Sequence, residues 1–215
     1  MQNHSQTKKD NFIGNRKVLL DLRAILDGRS GCGFVKTAVA VIDMINDFVT
    51  GVLKSERAEK IVPNVKQLLN FARENHVPVV YVNDAHMQNV DVEFDVWPEH
   101  AVADTWGAQV VNELKPEKSD FVLQKRRYSA FQGTGLDQLL RELKVDTLIL
   151  TGVVTDICIQ HTAADAFFRG YKIIVPEDCV EAINEQTQKA ALDYLKRIYG
   201  CEITRKDKIV KRKWS

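Results

Sequence analysis

From Thr37 onward the chain alternates short apolar runs with longer stretches whose apolar residues recur at helical spacing. The first run, "TAVAVIDM", is almost continuously apolar, the pattern of a strand buried on both faces. "SERAEKIVPNVKQLLNFARENH" follows as an amphipathic helix, and "VPVVYVND" as a second buried strand. "DFVLQK" predicts a third strand and "GLDQLLRELK" a helix. "VDTLILTG" is a fourth strand, leading into the helix "TDICIQHTAADAFFRG", which begins near Thr155. "YKIIVPED", the helix "NEQTQKAALDYLKRIY" and a short "CEIT" complete the series. Strands alternating with helices imply right-handed crossovers and a parallel sheet covered on both faces. The expectation is one α/β domain over residues 37–204, a three-layer sandwich around six mostly parallel strands.

Outside that range the pattern changes. Residues 1–15 are polar, and "NRKVLLDLRAIL" then places Val18, Leu19, Leu22, Ile25 and Leu26 near helical period before the break "DGRSGCGF". Residues 1–36 therefore predict an N-terminal extension with one amphipathic helix, over residues 16–30. Residues 205–215 predict a basic tail, since "TRKDKIVKRKWS" sets six Lys/Arg against one Asp. Its plain reading is a solvated terminus.

Composition narrows the class. The chain has 215 residues, 45% hydrophobic and 27% charged, with a formal net charge of +1. No global field recruits nucleic acid or a membrane surface. No apolar run reaches the ~18 residues of a membrane span, and the N-terminus has neither the apolar core nor the cleavage site of a signal peptide. Four cysteines (Cys32, Cys158, Cys179, Cys201) stand far apart with no CxxC pair, which fits a reduced, cytoplasmic protein. Phosphate-cradling GxGxxG and GxxxxGK[ST] motifs are missing.

In open α/β sheets ligands bind beyond the carboxyl ends of the strands. There the sequence places Asp43, then Asp84 and His86, then Lys125, then Cys158 just past the "GVVTD" turn. A free thiol is mostly protonated at neutral pH. A helix start and a lysine would favour the thiolate, and Asp43 can take its proton while Lys125 keeps Asp43 ionised. The turn can aim the backbone N–H groups of Val154 and Cys158 at an oxyanion. Each residue also has a bland reading: cysteine is a common core filler, Asp a cap, Lys a snorkelling surface residue. Cys32, Cys179 and Cys201 have no comparable setting and read as structural.

The segments "AVIDMINDFVTG", "KRRYSAFQGTGLDQLL" and "LILTGVVTDICIQHTAADAFFRGY" resemble, in order and spacing, the signatures of the isochorismatase-like cysteine hydrolases. The likeness covers about residues 37–204. It implies a six-stranded parallel sheet, a catalytic triad of Asp43, Lys125 and Cys158, a cis peptide between Val153 and Val154, and a homo-oligomer. Within that superfamily the chain is most similar to nicotinamidases (pyrazinamidases).

The segment after the second strand carries that finer likeness. Asp84 and His86 stand two apart at a strand end, where both can turn toward one point, and His100 follows after "WPE". Two imidazoles and a carboxylate leave open positions on a divalent ion. "DAH", "WPEH" and "TWGA" resemble the D-x-H, W-P-x-H and T-x-G-A segments of nicotinamidases, with Ala85 and Ala101 where tryptophan and cysteine are frequent. The implied cofactor is a divalent metal on Asp84, His86 and His100, Zn²⁺ first, although these ligands also suit Fe²⁺ or Mn²⁺. Glu93, in the acidic loop "MQNVDVEFDV", is either a fourth ligand or, in the plainer reading, a solvated loop carboxylate. Phe48 and Trp97 match family positions that sandwich a flat ring, with Tyr128 as a third wall; core packing is the alternative for Phe48 and Trp97. The implied substrate is a small heteroaromatic amide such as nicotinamide. A related enzyme acting on another amide, ureido or carbamoyl compound is the alternative.

Overall fold

The computed structural model describes residues 36–212; the expected helix at 16–30 and Cys32 lie outside the described residues. Seven strands form one sheet: β1 (Thr37–Ile42), β2 (Val79–Asp84), β3 (Phe121–Lys125), β4 (Thr147–Val153), β5 (Lys172–Pro176), β6 (Val180–Glu181) and β7 (Glu202–Thr204). Their order is β3-β2-β1-β4-β5-β7, with β6 also on β4, and every pairing is parallel.

The expectation of six strands is thus met with one addition. β5 pairs with β4 through Ile149, and after a turn closed by Cys179 N–H donating to the Pro176 carbonyl, β6 resumes beside Gly152 and Val153. The sheet remains six positions wide, one of them shared by two short strands. A two-residue strand carries no periodicity, so its sequence gave no sign of it.

Strand alternation divides the core. Ala38, Ala40, Ile42, Val80, Val82, Leu148 and Leu150 face one side. They pack against helices α3 (Leu136–Glu142), α4 (Gln160–Phe168) and α5 (Glu185–Tyr199). Val39, Val41, Val79, Tyr81 and Ile149 face the other side, under α2 (Glu56–Glu74). Ser55 caps α2 by accepting from Ala58 N–H, and Asn184 caps α5 by accepting from Thr187 N–H. A short α1 (Asn46–Val49) precedes α2.

The basic tail is not wholly solvated. Lys206–Val210 form a final short helix, α6, whose Ile209 is completely buried in the α2 layer. Asp178 accepts from Lys206 N–H and anchors its first turn. One apolar side chain overrides the charge pattern around it. Among the described residues no helix is long and apolar enough to cross a membrane.

Register aligns the site. Asp84 pairs with Lys125 across β2 and β3, and Ile42 with Gly152 across β1 and β4, so the functional side chains leave the sheet along one edge.

Candidate active site

Asp43 follows the last residue of β1 with φ +56°, in the left-handed region that a non-glycine residue seldom adopts. On the neighbouring strand Gly152 has φ +110°, and a Cβ there would stand 1.9 Å from the Ile42 carbonyl oxygen. Only glycine lets β4 approach β1 so closely beside Asp43. The chain then runs through a cis Val153–Val154 peptide. Residues Thr155–Ile159 form a wide π turn, with Ile159 N–H donating to the Val154 carbonyl, before α4 begins. The sequence pattern predicts an ordinary helix start here; the wider turn is a form common at functional sites, and Cys158 lies within it.

Lys125 is fully buried at the end of β3. Its Nζ lies 2.8 Å from Asp43 Oδ2, 2.7 Å from Asp84 Oδ1 and 3.6 Å from Cys158 Sγ. Asp43 Oδ2, although close, is off the hydrogen-bonding direction of the ammonium. Asp84 N–H donates to Asp43 Oδ1 at 2.8 Å. One ligand atom each of Asp43, Asp84 and Cys158 lies within 4.8 Å of the others. A buried ammonium is tolerable only when paired, and here two carboxylates share it.

That sharing changes the expected electrostatics. Burial and the neighbouring Asp84 charge push the Asp43 carboxyl up to about 7, against the pull of Lys125. Burial pushes the Cys158 thiol well above its usual range, although Lys125 opposes it. Lys125 pulls the Asp43 carboxyl and the Cys158 thiol down, as expected, but burial outweighs it at both. A neutral thiol faces a carboxyl poised near neutrality, an arrangement suited to moving a proton as bonds form.

A second cluster shares Asp84. Ligand atoms of Asp84, His86, Glu93 and His100 lie within 4.8 Å of one another, and all four residues are buried. Glu93 is therefore no solvated loop carboxylate; a single 3₁₀ turn, Val92–Asp95, carries it inward. Burial and Asp84 raise its carboxyl above the usual range. His86 Nε2 is buried and has no hydrogen-bond partner among the described residues, standing 3.8 Å from Asp84 and 3.6 Å from Glu93. His100 Nδ1 lies 2.6 Å from the Pro98 carbonyl, so it donates there and its Nε2 is left as a lone pair; burial holds this imidazole below its ordinary range. An orphaned imidazole nitrogen, a neutral second imidazole and two crowded carboxylates fit a divalent cation.

Both clusters meet at one cavity of about 460 Å³. Asp84, Glu93, His100 and Cys158 line it, with Phe48, Trp97, Tyr128 and Val154. The Trp97 indole N–H donates to the Tyr128 hydroxyl at 3.1 Å. The Phe48 ring lies 5.4 Å from that of His100. Of the other candidate site residues, Lys125 stands behind the lining against Cys158, Asp43 against Lys125, and His86 beside Asp84 and Glu93.

Three supporting residues had escaped notice. Asp91 sits 2.9 Å from His86 Nδ1, and Phe94 packs edge-on against both imidazoles. Asp47 accepts from Ala101 N–H at 2.8 Å, fixing the chain beside His100. A Cβ on Gly107 would stand 2.0 Å from the same carboxylate, which gives the "TWGA" glycine its physical reason. An Asp four residues past a candidate triad member and a glycine in a motif were the available signals.

This fold with a thiol, a carboxylate and a lysine at the carboxyl edge of the sheet defines a class of hydrolase. The chain belongs to the isochorismatase family, whose domain pattern matches residues 37–207. It is similar to N-carbamoylsarcosine amidase from Thermoplasma acidophilum, at 42% identity over 80% of this chain and 97% of that one, TM-score 0.76. A nicotinamidase/pyrazinamidase from Bacillus subtilis matches at 32% identity, over 79% of this chain and 100% of that one, TM-score 0.76. A pyrazinamidase of Pyrococcus horikoshii in complex with zinc matches at 29%, over 79% of this chain and 99% of that one, TM-score 0.74.

Proposed function

We propose that this hydrolase is a metal-dependent amidase that converts nicotinamide to nicotinate and ammonia through a thioester on Cys158. The observation that carries the reading is one cavity lined by the Cys158 thiol and by Asp84, Glu93 and His100 of the four-donor cluster, walled by Phe48 and Trp97. Asp84, His86, Glu93 and His100 would hold the divalent ion, with zinc as first choice because the P. horikoshii relative carries it. When bound, that ion would supply Lewis-acid chemistry beside the thiol.

The chain's own groups perform the steps. Phe48 and Trp97 sandwich the flat ring and set its amide carbon over Cys158 Sγ. As sulfur attacks, Asp43 accepts the thiol proton, and the carbonyl oxygen takes the negative charge. The Val154 and Cys158 N–H groups stabilise that oxyanion. Asp43 returns the proton to nitrogen, the C–N bond breaks, and ammonia leaves a thioester. Asp43 next takes a proton from an attacking water, the C–S bond breaks, and the proton returns to the thiol as nicotinate departs. Lys125 stays charged throughout and holds the Asp43 and Asp84 carboxylates apart.

A second reading has a specific observation behind it. Identity to the carbamoylsarcosine amidase, 42%, exceeds that to the B. subtilis nicotinamidase, 32%, which favours a ureido or carbamoyl amide. Ammonia release from nicotinamide and from an N-carbamoyl amino acid, each with and without a chelator, tests both. Chelator-sensitive turnover of nicotinamide is the expected result. Turnover of the carbamoyl compound alone, indifferent to chelator, would replace the first reading with the second.

A further inference from the structure

His86 can offer Nε2 to the cluster only if its other ring nitrogen carries the proton, and one residue stands at that nitrogen. Asp91 Oδ2 lies 2.9 Å from His86 Nδ1 and also accepts from Met87 N–H at 3.0 Å. The Asp91 side chain is completely buried, yet it has its own counter-ion. Arg126 Nε stands 3.0 Å from Asp91 Oδ1 and 3.1 Å from Oδ2, and the other arm of the guanidinium, Nη2, also reaches Oδ1. Arg127 adds a second cation at 3.7 Å. A carboxylate held by arginines stays an acceptor, so His86 Nδ1 must donate.

We infer that Asp91 is a positioning residue that fixes His86 in its Nδ1–H form, with Arg126 clamping Asp91 in place. Asp91 also immediately precedes the Val92–Asp95 turn that carries Glu93. One clamp therefore orients an imidazole and sets the start of the turn that delivers a second donor. Arg126 follows Lys125 on the same strand end, so β3 sends one cation into the thiol cluster and the next to the support of the donor cluster. The consequence for metal affinity rests on the metal reading above; the ring tautomer does not.

The test therefore begins without metal. Against its burial, Asp84, Asp91 and Glu93 raise the His86 imidazole above its ordinary range. Nitrogen-15 spectra of the histidine rings in the metal-free protein, recorded on the alkaline side where that ring is neutral, should show the His86 proton at Nδ1 and Nε2 bare. Asp91→Ala should shift that signal toward the Nε2–H form, and an unchanged ring spectrum would overturn the proposal. Zinc affinity, measured by competition with a chromophoric chelator, should fall about 10- to 100-fold in Asp91→Ala. Asp91→Asn, which keeps an oxygen facing Nδ1–H, should recover most of the loss. Affinity within about twofold of wild type in Asp91→Ala would refute the positioning role. Melting curves of the metal-free variants separate this from a general loss of fold. Should Asp91→Ala not fold, Arg126→Gln carries the same ring measurement: with its clamp gone Asp91 is free to turn away from Nδ1, so a shifted His86 signal supports the role and an unchanged wild-type tautomer refutes it. A wild-type protein that binds no zinc would count against the metal reading alone, leaving the tautomer to judge Asp91.

Discussion

The two halves of the cavity are built differently. The thiol half stands on strand ends: Asp43 after β1, Asp84 and Lys125 ending β2 and β3, Cys158 in the turn after β4. Backbone register places these groups, and the sheet would have to shift to move them. The donor half depends on the long connection between β2 and β3, which has only two 3₁₀ turns of its own. Side chains hold it instead, through Asp91 on His86, the Pro98 carbonyl on His100 and Asp47 on Ala101. The thiol half is thus fixed by the sheet itself, and the donor half by a few side-chain contacts within a loop.

The largest effect should come from Lys125→Met. Removing the buried ammonium leaves Asp43 and Asp84 facing each other with no cation between them, a cost of about 3–5 kcal/mol. Denaturant unfolding should show that loss together with near-complete loss of turnover; unchanged stability would mean the ammonium is not the clamp of the thiol half. His86→Ala strikes the other half and should spare the fold. It should abolish stoichiometric metal binding and raise KM about tenfold or more, and metal content equal to wild type would remove His86 from the donor set.

Gly107→Ala tests the side-chain support directly. Its new Cβ meets the Asp47 carboxylate at 2.0 Å, and displacing that carboxylate should cost about 1–3 kcal/mol. A wild-type melting temperature would show that the loop gives way freely. The smallest effect expected is from Glu93→Gln, which keeps shape and drops one charge. Zinc should bind of the order of tenfold more weakly with kcat little altered, whereas unchanged affinity would leave Glu93 a bystander.

The same division explains what could be read from the sequence. Strands are local signals: a run such as "TAVAVI" announces burial on both faces, and its last polar neighbour marks the functional edge, which is how Asp43, Lys125 and Cys158 came to view. Their electrostatics were not legible, because the rise of the Asp43 carboxyl comes first from its burial and then from a second carboxylate, on another strand, lying against the same lysine. The donor loop was legible only as motif letters. Its geometry rests on contacts such as Asp47 with Ala101, 54 positions apart, and nothing local announces them. Glu93 looked solvated because its neighbours are acidic, until the Val92–Asp95 turn carried it inward. Helix α6 hid behind its lysines because one buried isoleucine decides it.

In the proposed reaction the buried thiol of Cys158 performs the hydrolysis. Its most direct test is the rate of ammonia release from nicotinamide by zinc-loaded wild type and by Cys158→Ala, both shown to be folded and equally loaded. Wild type should release ammonia steadily, and the variant should be slower by about 10³-fold or more. Comparable release by Cys158→Ala would contradict that role.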